Sequence, residues 1–162
     1  MPNEKRELTE YQLYHITTRG NKKNIVLIED EDYLAFLRLL RKAKDKYKNI
    51  RLYAYCLMPN HYHLLINSYK ADEISKFMHK INLSYSIFFN KKYSYVGHIW
   101  QKRYFPKPIF YSDYIEKCIY YIENNPVRAE LCNDPSEYKW SSCNERLSSS
   151  QHGILDYFSD LV

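Results

Sequence analysis

Apolar positions along the chain fall into four strand-like runs separated by helical stripes. Residues 11–18 (YQLYHITT) are rich in aromatic and β-branched side chains and run into Arg19-Gly20-Asn21, a turn signal. They are predicted to form a first strand. Asp30 then stands ahead of Tyr33, Phe36, Leu37 and Leu40 at helical spacing, which predicts a helix capped by Asp30 and running to about Tyr47. Two more strand-like runs follow, 50–57 (IRLYAYCL) and 61–67 (HYHLLIN), joined by Met58-Pro59-Asn60 as a tight hairpin connection. From Asp72 onward, Ile74, Phe77, Met78, Ile81, Tyr85 and Phe88 make one stripe of a second helix. Residues 91–105 read as a mixed aromatic and basic loop, and 107–111 as a short strand. Ser112 or Asp113 caps a third helix that stops before Pro126. Beyond it the chain is Ser-rich and weakly patterned, most of all at 148–151.

The order β-α-β-β-α-β-α implies an α+β fold of ferredoxin-like or RRM-like type. It is an antiparallel sheet with helices on one face and an added C-terminal helix. With no internal repeat and no linker, the 162 residues form one domain, with a core at about 11–142 and a tail at 143–162.

Composition narrows the chemistry. Three glycines (Gly20, Gly97, Gly153) cannot build a GxGxxG or a P-loop, so the common dinucleotide and nucleotide-cradling chemistries are excluded. Eighteen tyrosines, by contrast, offer phenol hydroxyls and stacking faces in excess. A net charge of +5 suits a polyanionic partner such as nucleic acid. The four cysteines (Cys56, Cys118, Cys132, Cys143) lie far apart, and neither a zinc ribbon nor a redox dithiol is expected from them. The polar start of the chain and the lack of a long apolar run point to a cytoplasmic protein with free thiols and no membrane partner.

The sharpest local feature is MPNHYHLLI. Alternation along a strand sends His61 and His63 to one face and Tyr62 and Leu64 to the other. Two imidazoles about 7 Å apart on one face can converge on a divalent ion. The same spacing also fits polar residues on a half-exposed strand. His15 lies in another strand and can neighbour the pair or serve as a hydrogen-bonded packing residue.

The second feature is DYIEKCIYYIENN (113–125). Ile115, Cys118, Ile119 and Ile122 share a narrow helical stripe that should face the sheet. Tyr121 and Asn125, four apart, fall at the flank of that stripe, within reach of a site at the sheet edge. Tyr120 and Asn124 point nearly opposite, into solvent. Tyr121 and Asn125 fit either a site or a boundary aromatic and a helix-end residue. Lys22, Lys23, Lys102 and Arg103 are turn or loop cations able to contact phosphates, while the basic run at 38–48 reads as a solvated helix face. His98, Trp100 and Tyr104 can stack on bases or pack their loop onto the core. Arg128 can bind phosphate or pair with a helix carbonyl.

Taken together, six segments resemble the single-tyrosine HUH transposases, most closely the REP-associated tyrosine transposase branch. They are HITTRGN (15–21), EDEDYLAFL (29–37), AYCLMPNHYHLLI (54–66), GHIWQKRY (97–104), YIENNPVRAEL (121–131) and YKWSS (138–142). The resemblance implies an HUH endonuclease fold that cuts and joins single-stranded DNA, often at hairpins. It implies Mg²⁺ or Mn²⁺ held by His61 and His63, with Asn125 as third ligand, and Tyr121 as nucleophile. Asn125 departs from the Gln that other branches often carry, and Tyr62 stands where an aliphatic residue is usual.

An ordinary phenol keeps its proton at neutral pH and must lose it as it attacks. The product would be a 5′-phosphotyrosine that conserves the bond energy, so no nucleotide-binding loop is required. Relatives act as dimers or as monomers, so a homodimer is possible. A non-catalytic RRM-like nucleic-acid-binding module and a replication-initiator nickase are the alternative readings.

Overall fold

The computed structural model describes residues 7–110, 113–148 and 153–157. The elements run in the order β1 (Leu13–Arg19), α1 (Asp30–Lys46), β2 (Ile50–Met58), β3 (His61–Ser68), α2 (Ala71–Tyr93), β4 (Phe105–Ile109), α3 (Asp113–Glu123), α4 (Asn125–Arg128) and α5 (Ser142–Ser148). Short 3₁₀ turns lie at Asn21–Lys23 and Pro135–Glu137. The strands form one antiparallel sheet in the order β2-β3-β1-β4, the ferredoxin-like arrangement expected from the element order.

Strand alternation splits the core in two. Tyr14 and Ile16 of β1 and Tyr62, Leu64 and Ile66 of β3 face α1 and α2, and with Phe36, Phe77, Ile81 and Tyr85 they make the larger cluster. Leu13, Leu65, Cys56 and Met58 face the other way, where the added helix α3 lays Cys118 and Ile122 on them. A bulge between Leu52 and Ala54 in β2 turns both Tyr53 and Ala54 towards α3, which widens the floor under that helix.

Local chemistry moves some of the expected boundaries. Helix α1 is capped by Glu29 rather than Asp30, because Asp32 Oδ2 accepts from the backbone N–H groups of Ile28 and Glu29 at 2.8 and 3.0 Å. Phe89 rather than Phe88 completes the buried stripe of α2, as the 3.6-residue period drifts over a 23-residue helix. Strand β4 lies two residues ahead of the expected 107–111. Pro106 and Pro108 sit two apart in it, so both lack a donor on the same side, which suits an edge strand. Ser112, the other expected cap of α3, lies outside the described residues.

The weakly patterned tail contains α5 and sends Ile154 and Leu155 into the larger cluster. Glu145 Oε1 accepts from the backbone N–H groups of both residues at 2.9 Å. Asp156 exchanges backbone and side-chain hydrogen bonds with Leu52 and pairs with Lys44 at 2.6 Å. All four cysteines are free. No helix among the described residues is long and apolar enough to cross a membrane.

Candidate active site

The loop that presents the histidines is clamped from two sides. Gly20 N donates to Asn60 O at 2.8 Å, and Val26 N and Leu27 N both donate to Pro59 O. A side chain at Gly20 would collide with the Asn24 carbonyl oxygen, so only glycine allows this approach. The hairpin between β2 and β3 is thereby held against the end of β1, and His61 begins β3 in a fixed position.

On the α3 face, register brings three imidazoles together. Thr17 pairs with His63 and Arg19 with His61 across β1 and β3, which leaves His15 diagonal to His63. His15 Nε2 and His63 Nδ1 are 2.8 Å apart, and Thr17 Oγ1 is 3.3 Å from the same His63 nitrogen. The rings of His61 and His63 lie 5.0 Å apart, centre to centre. His61 Nδ1 is 2.6 Å from Asn60 Oδ1.

Helix α3 closes this group from above. The Tyr121 ring lies 5.8 Å from that of His15 and 6.3 Å from that of His63, both edge-on. Its own position is set by Arg128, whose guanidinium stacks 4.0 Å from the ring centre while Nη2 donates to Tyr121 O at 2.8 Å. Tyr121 is 48% exposed, so its ring is anchored yet open to a ligand. Tyr120 is 69% exposed and points away, as helical phase predicts. A cleft of about 470 Å³ runs beside Tyr121, lined by His15, Thr17, Arg19, His63, Lys107 and Lys117 among others. Tyr114 lines the same cleft two turns earlier on the same face of α3, with Lys117 Nζ over its ring.

Burial keeps the imidazoles neutral. It lowers His15 to about 4, helped by Lys107, and His61 to about 4, helped by Arg19. His63 falls to about 2, through burial first and then the adjacent His15, His61, Arg128 and Arg19. Neutral imidazoles are the form that binds metal.

These residues fit a divalent ion. His63 Nε2 is buried with no hydrogen-bond partner. If His63 Nδ1–H donates to His15 Nε2, that Nε2 carries a bare lone pair. Asn60 Oδ1, an acceptor, likewise holds the proton of His61 on Nδ1 and frees its Nε2. Among the described residues no group of three or more His, Cys, Asp or Glu side chains is arranged to hold a metal. Asn125 is buried one turn beyond Tyr121, and its Nδ2 donates to Tyr121 O and Ile122 O at 3.2 Å. Those bonds engage the amide nitrogen, so Oδ1 is the Asn125 atom with the capacity to ligate.

The remaining predicted residues lie apart from this cleft or serve the scaffold. Lys22 and Lys23 sit on the exposed 3₁₀ turn, and Lys102, Arg103 and His98 are exposed on the loop before β4. Trp100 packs edge-on to Tyr62 and donates its indole N–H to Asn82 O at 3.1 Å, so it belongs to the core rim. Glu123, not singled out by the sequence, is buried and joins α3 to α5 through Ser142 Oγ (2.6 Å) and Arg146. Arg19, Asn60 and Lys117 lie inside sequence motifs without a site role assigned to them, and Lys107 lies outside the motifs; register and packing bring all four to the site.

A family model described as "Transposase IS200 like" matches residues 9–125. Among solved structures, the chain is similar to a REP-associated tyrosine transposase bound to a REP hairpin, with a TM-score of 0.74 at 17% identity, covering 97% of this chain and 95% of that one. It is also similar to a candidate transposase from Deinococcus radiodurans, with a TM-score of 0.50 at 22% identity, covering 75% and 96%. None of the curated proteins compared with the chain matches it.

Proposed function

The chain belongs to the IS200-like transposases, and on that premise we propose that it cuts and rejoins single-stranded DNA at hairpin-type sequences through a 5′-phosphotyrosine on Tyr121. The observation that carries the reading is the seating of the Tyr121 ring against the His15–His63 pair, with His63 Nε2 unpartnered beneath it.

Tyr121 Oη attacks phosphorus and its proton passes to water. The O–P bond forms as the bond to the 3′ oxygen breaks, and that oxygen takes a proton from water and leaves as a 3′-hydroxyl. One phosphodiester has been exchanged for another, so a second 3′-hydroxyl can expel the tyrosine and restore the strand without ATP. Arg128 fixes the tyrosine ring and brings positive charge beside it. His61, His63 and Asn125 Oδ1 would hold Mg²⁺ or Mn²⁺, which when bound supplies Lewis-acid polarisation of the phosphate oxygens. Arg19, Lys107 and Lys117 line the cleft where the strand must lie. A hairpin partner accords with the REP hairpin bound to the structural neighbour.

The test is incubation of labelled hairpin DNA with the protein and Mn²⁺, followed by a denaturing gel. A covalent adduct is expected with wild type and Tyr120→Phe and absent with Tyr121→Phe. An adduct that survives Tyr121→Phe, or none with wild type across a broad hairpin library, would overturn the reading.

A further inference from the structure

The cleft beside Tyr121 does not end at Arg19. Through Thr17, Arg19 and Phe105 it opens into a hollow of about 740 Å³ walled by Lys102, Arg103 and Tyr104. Through 101–104 that hollow opens into a third, of about 720 Å³, between the loop before β4 and helix α2. The middle hollow shares walls with each of the other two, so the three lie side by side as one depression. It leaves the α3 face, passes around the start of β4 and arrives on the flank of α2. The passage exists because β4 begins at Phe105, opposite Thr17, so the last turn of β1 is bordered by loop rather than strand. Gln101 N donates to Arg19 O at 2.8 Å and holds the loop there.

The charge of the depression is one-sided. Arg19, Lys102, Arg103, Lys107 and Lys117 line it, and no Asp or Glu does, although the chain carries 19 acidic residues. None of these five cations is in an ion pair with a carboxylate among the described residues. Elsewhere Lys44, Lys76, Lys92, Lys139 and Arg146 are each paired at 3.1 Å or less. Five unpaired cations along a groove with no opposing charge form a site for a polyanion.

The far hollow differs in kind. His79 and Leu83 of α2 and His98 of the loop are exposed there, and the polar side chains of Ser86 and Asn82 line the same hollow. Two imidazoles and an aliphatic surface beside hydroxyl and amide groups suit a flat heterocycle with polar edges. Trp100 is spent on the core rim, so this role falls on His79 and His98.

We propose that this depression is the track of the single strand adjoining the cut, with phosphates on Arg19, Lys107, Lys102 and Arg103 and an unpaired base seated between His79 and His98. The inference rests on the reading of the protein as a single-strand nuclease and adds a binding site on α2 to it.

The test uses the full-length Tyr121→Phe protein and fluorescent oligothymidine of twenty nucleotides, so binding is read without cleavage. Removing both cations in Lys102→Gln/Arg103→Gln should flatten the salt dependence of log Kd by about 1.4, about 0.7 for each phosphate that is no longer neutralised. The control Lys42→Gln/Lys46→Gln, on the far side of α1, should leave it unchanged. Ultraviolet crosslinking followed by peptide mapping should place thymine on the His79 or His98 peptide, and His79→Ala should weaken binding about tenfold. Equal slopes in both double variants, or crosslinks confined to other elements, would overturn the track. The outcomes separate from those of the parent reading. A covalent adduct with no slope change defeats the track alone, and a slope change without any adduct in wild type defeats the nuclease alone.

Discussion

The two faces of the sheet are made from the same strands and have opposite fates. Tyr14, Ile16, Tyr62, Leu64 and Ile66 point one way and are sealed under α1 and α2, helices of 17 and 23 residues. Their neighbours His15, Thr17, His61 and His63 point the other way, where the 11-residue α3 packs on Leu13, Leu65, Cys56 and Met58 and sets the half-exposed Tyr121 against the histidines. One residue of shift along β3 therefore separates a fully buried Tyr62 from a half-buried His61. Stability is concentrated on one face, which frees the other to hold polar side chains at some desolvation cost.

The largest break in that contrast should come from Tyr62→Ala. The ring is fully buried against Phe36 and Trp100, and its hydroxyl donates to Asn82 at 2.6 Å. Its loss should cost about 3–5 kcal/mol in urea unfolding. His61→Ala, one residue away, should cost no more than about 1 kcal/mol while abolishing tight Mn²⁺ binding. A similar stability loss in both variants would erase the distinction between the faces.

Next in size is His15→Ala. If His15 Nε2 holds the proton-bearing Nδ1 of His63 in place, its removal should weaken Mn²⁺ affinity about tenfold or more, read by electron paramagnetic resonance. His15→Gln, which retains an acceptor, should recover part of it. Equal affinity in His15→Ala and wild type would make His15 a packing residue only.

The same three rings make the fold sensitive to pH. The folded protein holds His15 and His61 at about 4 and His63 at about 2, against an ordinary 6.5 in the unfolded chain. Below about pH 6.5 the unfolded chain therefore binds more protons. Stability should be full above that pH and decline as it falls towards 4. The check is the Tm in chelator across this range, and a Tm unchanged from pH 7 to 5 would contradict neutral burial of the three rings. The smallest effect belongs to Tyr120→Phe. This exposed ring should change neither stability, within about 0.5 kcal/mol, nor adduct formation.

Much of this contrast was legible in the sequence. Period-two alternation separated His61 and His63 from Tyr62, and helical phase separated Tyr121 from Tyr120, because both are local geometry. The His15–His63 contact was legible only as one of two options, since it depends on the register of β1 against β3, which neither strand states alone. Asn60 was not legible, because its side chain acts only once the hairpin is clamped to Gly20. The region after 142 stayed unreadable for another reason. It is fastened by single carboxylates, Glu145 and Asp156, accepting from distant backbone groups, and such contacts leave no periodicity.

Two tyrosines, Tyr114 and Tyr121, line the cleft, and the Tyr121 ring rests on those of His15 and His63. The most direct measurement is proteolysis of the wild-type covalent adduct and mass spectrometry of the nucleotide-bearing peptide. The expected result is a single modified residue, Tyr121, whereas a nucleotide on Tyr114 or Tyr120 would contradict the chemistry assigned to the open face.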